Sequence, residues 1–216
     1  MTSSERYIKF EQWWKTTGEW VEEPNFRRNG MSGVQRAEYD GKKVYVKRMV
    51  HHLFHSVRYP FGRPTIIREV AAIKALEQAG VIVPKIIYSD AIKISGEWRA
   101  LLVTEDMSGF ISLTEWYEQH VIKPFSDAER NNMLKAVALA FKNMHNVKRQ
   151  HGSCYVRHIY VKTKGNAEAG FIDLEKSHRR LCRYQAKRHD FQQLEKYLSP
   201  IPEKDWEQIK AYYYNI

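Results

Sequence analysis

A chain of 216 residues with 43% apolar side chains can bury one large core or two smaller ones, which excludes a wholly disordered protein. Its formal net charge of +10 favours an anionic partner, whether nucleic acid, nucleotide, phospholipid or phosphorylated sugar, and does not choose among them. Two cysteines without a CxxC pair, Cys154 and Cys182, argue against a disulfide framework and against a structural zinc cluster. The longest purely apolar run, Ala136 to Phe141, falls far short of the roughly 20 residues of a membrane-spanning helix. Met1 to Trp14 mixes Glu5, Arg6, Lys9 and Glu11 among its aromatics and lacks the apolar core of a secretory signal. A cytoplasmic location is the expectation.

After an aromatic N-terminal extension over residues 1–27, Val34 to Tyr39 and Lys43 to Val46 flank Asp40-Gly41, the signature of a two-residue hairpin turn. Residues 48–64 are basic and aromatic, with Pro60, Gly62 and Pro64 as breakers, and predict a loop. From Thr65 the apolar positions Ile66, Ile67, Val70, Ala71, Ile73 and Leu76 recur at helical spacing before Gly80, which predicts an amphipathic helix with a glycine stop. Val81 to Tyr88, Ile92 to Ile94 and Arg99 to Thr104 predict strands of a meander, with a turn at Ser95-Gly96-Glu97. Helical patterns then dominate: Leu113 to Val121, Asp127 to His145, about Lys187 to Leu198, and Pro202 to Tyr214. Two short strands, Ile159 to Val161 and Gly170 to Ile172, interrupt them. The fold class expected is α+β, with an antiparallel-sheet lobe carrying one helix over residues 28–107 and a reduced, mainly helical lobe over 108–216.

Three charged residues stand out against this pattern. Lys47 closes Val44-Tyr45-Val46-Lys47, Glu69 opens the helix 22 residues later, and Asp173 follows the apolar pair Phe171-Ile172. A phosphate-transfer site needs a fixed cation for the phosphates, an anchor for that cation, a carboxylate for magnesium, and a group that orients the acceptor. Lys47, Glu69 and Asp173 fit the first three in that order, although a V-x-V-K run alone also suits an exposed lysine at a strand end.

The order V-Y-V-K, R-E-V-A-A-I-K-A-L-E-Q-A-G-V, L-L-V-T-E-D, M-H-N-V-K-R-Q-H-G-S-C-Y-V-R-H-I-Y-V and F-I-D-L-E-K resembles the bacterial lipopolysaccharide-core kinases, the heptose and Kdo kinases of the protein-kinase-like superfamily. Most distinctive is C-Y-x-x-H from Cys154 to His158, followed by I-D-L from Ile172 to Leu174. The resemblance runs over about residues 28–198. It implies ATP and magnesium as cofactors. It further implies that Lys47 binds nucleotide phosphates, that Glu69 pairs with it, and that Asp173 and His158 hold the metal. By the same resemblance Glu105 to Met107 form a hinge whose backbone meets adenine, and Asp190 braces the lower lobe. Gly30 and Gly33, in Asn29-Gly30-Met31-Ser32-Gly33, would belong to a glycine turn over the phosphates or to an ordinary tight turn.

One departure bears on activity. Where active members of that family read H-R-D-C-Y, this chain reads His151-Gly152-Ser153-Cys154-Tyr155, with Ser153 at the position of the general base. A hydroxyl is not a useful base near neutral pH, so a loss of about 10²- to 10⁴-fold is expected. His151 is the nearest substitute, with bracing of the loop as its ordinary role. The expected function is therefore ATP-dependent phosphotransfer to a sugar or other hydroxyl, weakened at Ser153. The alternative is a non-catalytic pseudokinase that senses nucleotide or docks a partner.

Two further features stay outside that assignment. Residues 41–68 hold seven Lys/Arg, His51, His52 and His55, and no carboxylate. The face at 42–68, with Arg48, Arg58 and Arg63, suits an anionic glycolipid, a membrane face or an acidic partner, and its histidines would add charge below about pH 6.5. As a zinc motif, H-H-L-F-H lacks the glutamate and the third ligand of H-E-x-x-H. The tryptophans Trp13, Trp14 and Trp20 lie among Glu19, Glu22 and Glu23, so core packing is favoured over base stacking and nucleic acid is the least favoured partner.

Overall fold

The computed structural model describes residues 2–27, 30–57, 59–122 and 124–216. The chain forms two compact units, Met1–Ala71 with Pro84–Asp106 and Ala72–Val83 with Met107–Ile216. No helix among the described residues is long and apolar enough to cross a membrane.

The first unit begins with helix α1 (Ser3–Lys15), started by a capping box in which the Thr2 and Glu5 side chains satisfy each other's backbone N–H. Strands β1 (Glu19–Arg27), β2 (Gly30–Tyr39) and β3 (Lys42–Val50) follow. Asp40 and Gly41 link β2 to β3 with φ of 52° and 70°, as a type I′ hairpin requires. Then come the ribbon β4 (Leu53–Ser56) and β5 (Tyr59–Pro64), helix α2 (Ile66–Gln78), and the antiparallel pair β6 (Ile86–Ile94) and β7 (Glu97–Glu105). The main sheet has the order β1-β2-β3-β7-β6. Its core packs Val44 and Val46 of β3, Leu101 and Val103 of β7, Ala37 and Tyr88 against Phe10 and Trp13 of α1. The N-terminal aromatics are thus the cover of one sheet face. The Arg6 guanidinium ties α1 to Asp90 of β6 through its Nε at 2.7 Å.

The loop expected over 48–64 is instead the end of β3 plus the β4–β5 ribbon. Its Pro and Gly breakers are tolerated because a two-stranded ribbon leaves one side of each strand without a ladder partner. Phe54 and Tyr59 meet edge-to-face across it, with centroids 6.0 Å apart. His51 and His55 therefore do not share a helix face, and among the described residues no three His, Cys, Asp or Glu side chains converge as metal ligands. Arg58 and Asn29 lie outside the described residues.

The second unit starts at the C-terminal half of α2. Past β8 (Ile111–Ser112) run α3 (Leu113–Ile122) and the long α4 (Asp127–Asn146), whose N-terminus is a Ser126/Glu129 capping box. α4 buries Met133, Leu134, Val137, Phe141, Met144 and His145. A short strand β9 (Arg149–Gln150), a 3₁₀ turn at Val156–His158, and strands β10 (Ile159–Lys162) and β11 (Glu168–Phe171) follow. β10 pairs with β11 on one side and β8 on the other. Strand β12 (His178–Arg179) returns to pair with β9, and helices α5 (Arg183–Lys196) and α6 (Glu203–Asn215) complete the unit. Asp205 of α6, fully buried, accepts the Tyr117 hydroxyl at 2.9 Å and the Arg130 Nε at 3.0 Å, so one carboxylate joins α3, α4 and α6.

Candidate functional site

Strand alternation decides what Lys47 can do. Neighbours on β3 point to opposite faces: Val44, Val46 and Arg48 turn towards α1, and Lys47 and Met49 turn away from it. On that second face the Lys47 Nζ donates to the Glu69 carboxylate at 2.8 Å. Both side chains are largely buried, 13% and 7% exposed, so the pair sits where its charges are weakly screened. Glu69 lies in the first turn of α2, where the helix dipole favours an anion. Arg48, one residue on, is committed elsewhere. Its guanidinium donates to the Trp14 carbonyl at 3.1 Å, to the Gln35 side chain at 2.7 Å and to the Thr16 carbonyl, which caps the C-terminal end of α1. Burial holds its pKa below the ordinary value.

Gly30 and Gly33 are not in a turn. Both lie within β2, opposite Arg27 and Arg48 respectively. A Cβ on Gly30 would come within 2.9 Å of the Val50 and His51 carbonyl oxygens, and one on Gly33 within 2.9 Å of the Trp20 ring. Close approach of neighbouring strands accounts for both glycines. At the end of β7 the Glu105 N–H donates to the Lys85 carbonyl and the Asp106 N–H to the Lys43 carbonyl. The Glu105 carboxylate pairs with Lys42 at 2.9 Å, and that hydrogen bond holds its pKa below the usual range. Met107 opens a turn closed by the Phe110 N–H on its carbonyl.

In the second unit the His151-Gly152-Ser153 loop hangs from Asp190 of α5. The buried Asp190 carboxylate accepts the His151 N–H at 2.7 Å, the Gly152 N–H at 3.2 Å and the His145 Nε2–H at 3.2 Å. Burial by itself would raise its pKa, yet hydrogen bonds from His145 and His189 hold the carboxyl below the usual range. His145 in turn takes the Tyr213 hydroxyl on its Nδ1 at 3.2 Å. The chain of contacts therefore runs from α6 through α4 and α5 to the loop, and it fixes the loop by its backbone.

Three details of that loop bear on chemistry. Gly152 adopts φ +84°, and a Cβ there would stand 2.3 Å from the Lys176 carbonyl oxygen; the backbone is one that only glycine fits. His151 is fully buried, and its Nδ1 accepts the Ser153 N–H at 3.3 Å, which assigns the proton to Nε2. Burial pushes its pKa down to about 4, more strongly than the Asp190 charge raises it. It is a neutral imidazole whose acceptor nitrogen is occupied, and it cannot act as a base in this arrangement. Ser153 is itself buried, 4% exposed, and its carbonyl accepts the His158 Nδ1–H at 2.8 Å.

Asp173 follows β11 with φ 55°, a left-handed conformation uncommon for a residue with a side chain and best tolerated by Asp and Asn. Its carboxylate lies 3.5 Å from the His158 Nδ1 and is 38% exposed. His158 is locked on its other side, where its Nε2 accepts the Arg157 Nε–H at 3.2 Å. The sequence-derived residues thus fall into two groups: Lys47, Glu69 and Glu105 with the two glycines in the first unit, and Met107, His151, Ser153, His158, Asp173 and Asp190 in the second. Sequence reasoning missed His145 and the constraint on Gly152. The signal for Gly152 was present, since a glycine stands where the resembled family has arginine. Cys154 is buried and burial raises its thiol pKa well above the ordinary value, so it is inert.

The antiparallel sheet followed by a helical unit is a protein-kinase-like α+β fold, and a sequence profile of the lipopolysaccharide kinase (Kdo/WaaP) family matches residues 11–213; the chain belongs to that family. It is 72% identical over 214 residues to Protein InaA of Escherichia coli (strain K12), a match that spans 99% of each chain. Among solved structures, WaaP in complex with acyl carrier protein resembles it with a TM-score of 0.71 at 20% identity, over 96% of this chain and 83% of that one. That likeness speaks for the fold alone.

Proposed function

We propose that this protein binds ATP with magnesium and transfers phosphate weakly to a sugar or other hydroxyl. The observation that carries the reading is the Lys47–Glu69 pair at 2.8 Å, a shielded ammonium held in place by a carboxylate on the neighbouring helix. Family membership supports kinase chemistry in general. Lys47 would meet nucleotide phosphates, and the N–H of Met107 would meet adenine, because the N–H groups of Glu105 and Asp106 are already engaged.

Asp173 is the carboxylate suited to magnesium. Magnesium prefers oxygen ligands and is commonly held by one or two carboxylates together with substrate phosphates, so a site with one carboxylate fits. His158, whose Nδ1–H goes to the Ser153 carbonyl and whose Nε2 accepts from Arg157, would join Asp173 at the ion only by giving up one of those bonds. When bound, the ion would neutralise charge on the phosphates. Ser153 offers no proton acceptor, and His151 holds the loop.

A second reading, that of a pseudokinase, draws support from the loop, where Ser153 stands at the base position and the buried, neutral His151, its Nδ1 taken by the Ser153 N–H, cannot replace a carboxylate. Partners of either form would be anionic. Of the described lysines and arginines at 42–68, Lys42, Lys43, Arg63 and Arg68 are exposed, and a glycolipid, a membrane face or an acidic protein would meet those four. The WaaP complex adds a carrier protein as a possible partner class. The separating experiment is single-turnover ADP formation by the wild type and Ser153→Asp. Slow turnover that rises at least about tenfold in Ser153→Asp supports the weakened kinase; bound nucleotide without turnover in either supports the pseudokinase; and no nucleotide binding overturns both.

A further inference from the structure

The densest basic segment of the chain has no part in the nucleotide reading. Residues 176–189 read Lys-Ser-His-Arg-Arg-Leu-Cys-Arg-Tyr-Gln-Ala-Lys-Arg-His, six Lys/Arg and two His with no carboxylate. They run through β12 into the first turns of α5. The positive charges on 42–68 are partly spent inside their unit, on Glu105, Glu69 and the α1 carbonyls. Here no carboxylate pairs with the arginines: among the described residues no ion pair involves Arg179, Arg180, Arg183 or Arg188, and only the Arg180 Nε is drawn inward, to the Gln150 side chain. The carboxylate that follows, Asp190, is fully buried and faces inward to the loop.

Two apolar side chains stand in the middle of this charge. Residues 181–185 are all exposed, with Leu181 at 85% and Tyr184 at 60%. Arg179, Arg180, Arg188 and His189 line an open groove of about 790 Å³ beside Leu181. From these observations we propose that the segment from Lys176 to Arg188 docks the protein on an anionic membrane surface. Leu181 would dip to the acyl boundary, Tyr184 would sit at headgroup depth, and the arginines would take lipid phosphates in bidentate fashion. Charge complementarity and the apolar count together favour this occupant. A specific protein interface of ordinary size buries about 800 Å² on each partner around an apolar centre, whereas two isolated apolar side chains within a basic ring suit a fluid, uniformly anionic surface.

The proposal stands whether or not the protein binds nucleotide. It is tested by co-sedimentation of the full chain with phosphatidylcholine vesicles, with and without phosphatidylglycerol, beside R179Q/R183Q/R188Q, L181S/Y184S and the control K164Q/K204Q. Each basic residue near an anionic bilayer contributes about a fivefold gain in partition, so the triple arginine variant loses about 100-fold on phosphatidylglycerol vesicles. The apolar variant binds more weakly at every salt concentration with an unchanged salt slope, and the control matches wild type. Unchanged urea midpoints confirm that the variants are folded. Equal partition onto neutral vesicles, or an arginine variant that sediments like wild type, overturns the proposal. So does a wild type that ignores vesicles yet binds purified acyl carrier protein through these arginines, which would assign the segment to a protein partner.

Discussion

Asp190→Ala should be among the most damaging single substitutions in the second unit. The carboxylate accepts the His151 N–H at 2.7 Å, the Gly152 N–H at 3.2 Å and the His145 imidazole at 3.2 Å, and it is fully buried. Each buried donor left without an acceptor costs about 1–3 kcal/mol. The His151 N–H and the His145 N–H are fully buried and the Gly152 N–H partly so, which sums to about 3–6 kcal/mol, a large share of the roughly 5–15 kcal/mol that holds a typical fold together. Asp190→Asn keeps one acceptor oxygen but turns an amide N–H towards donors, and should cost about 1–3 kcal/mol. Urea unfolding followed by tryptophan fluorescence reads the change as a lower midpoint at constant slope. An Asp190→Ala protein within about 0.5 kcal/mol of wild type would refute the claim that this carboxylate suspends the loop.

Acid should weaken the fold in two windows. The unfolded chain takes a proton at His151 near pH 6.5, whereas the folded one does so only at about 4, so stability is complete above about 6.5 and falls by on the order of 3 kcal/mol as pH drops to 4; urea midpoints of His151→Gln should be flat across that range. Asp190, with its folded pKa lowered, adds stability that is present above about 4 and is lost only at lower pH. Gly152→Ala should cost about 2–3 kcal/mol, since its φ of +84° and the 2.3 Å approach to the Lys176 carbonyl leave no room for a Cβ, and thermal unfolding at wild-type temperature would count against that constraint. Glu69→Ala leaves the Lys47 ammonium largely buried without its carboxylate and should cost up to about 3 kcal/mol, much of which Lys47→Met/Glu69→Leu should recover; a double variant no more stable than Glu69→Ala would show that the pair is not the source.

What the sequence reveals is local. Asp40-Gly41 announces the β2–β3 hairpin because only a few residues accept two positive φ values in succession, and Gly80, with φ +71°, marks the end of α2 for the same reason. α1 is hidden because its aromatics read as an irregular extension, although Thr2-x-x-Glu5 is a legible start signal. The β4–β5 ribbon is hidden because Pro60 and Pro64 argue against a central strand and cannot argue against an edge. Lys47 and Glu69 are legible by order and spacing, but that Arg48 is consumed by α1 depends on which layer covers which face of β3. The Asp190 carboxylate meets backbone N–H groups 38 and 39 residues away, and no local pattern encodes such a contact. The resemblance to the family supplied Asp190; the structure supplies what it holds.

Calorimetric titration of ATP, with and without magnesium, into the wild type, Asp173→Ala and Lys47→Ala tests the nucleotide reading most directly. Binding should tighten with magnesium in the wild type, lose that dependence in Asp173→Ala, and weaken by about tenfold or more in Lys47→Ala, the loss of one charge-assisted contact. Absent binding, or binding that neither substitution alters, would contradict that reading.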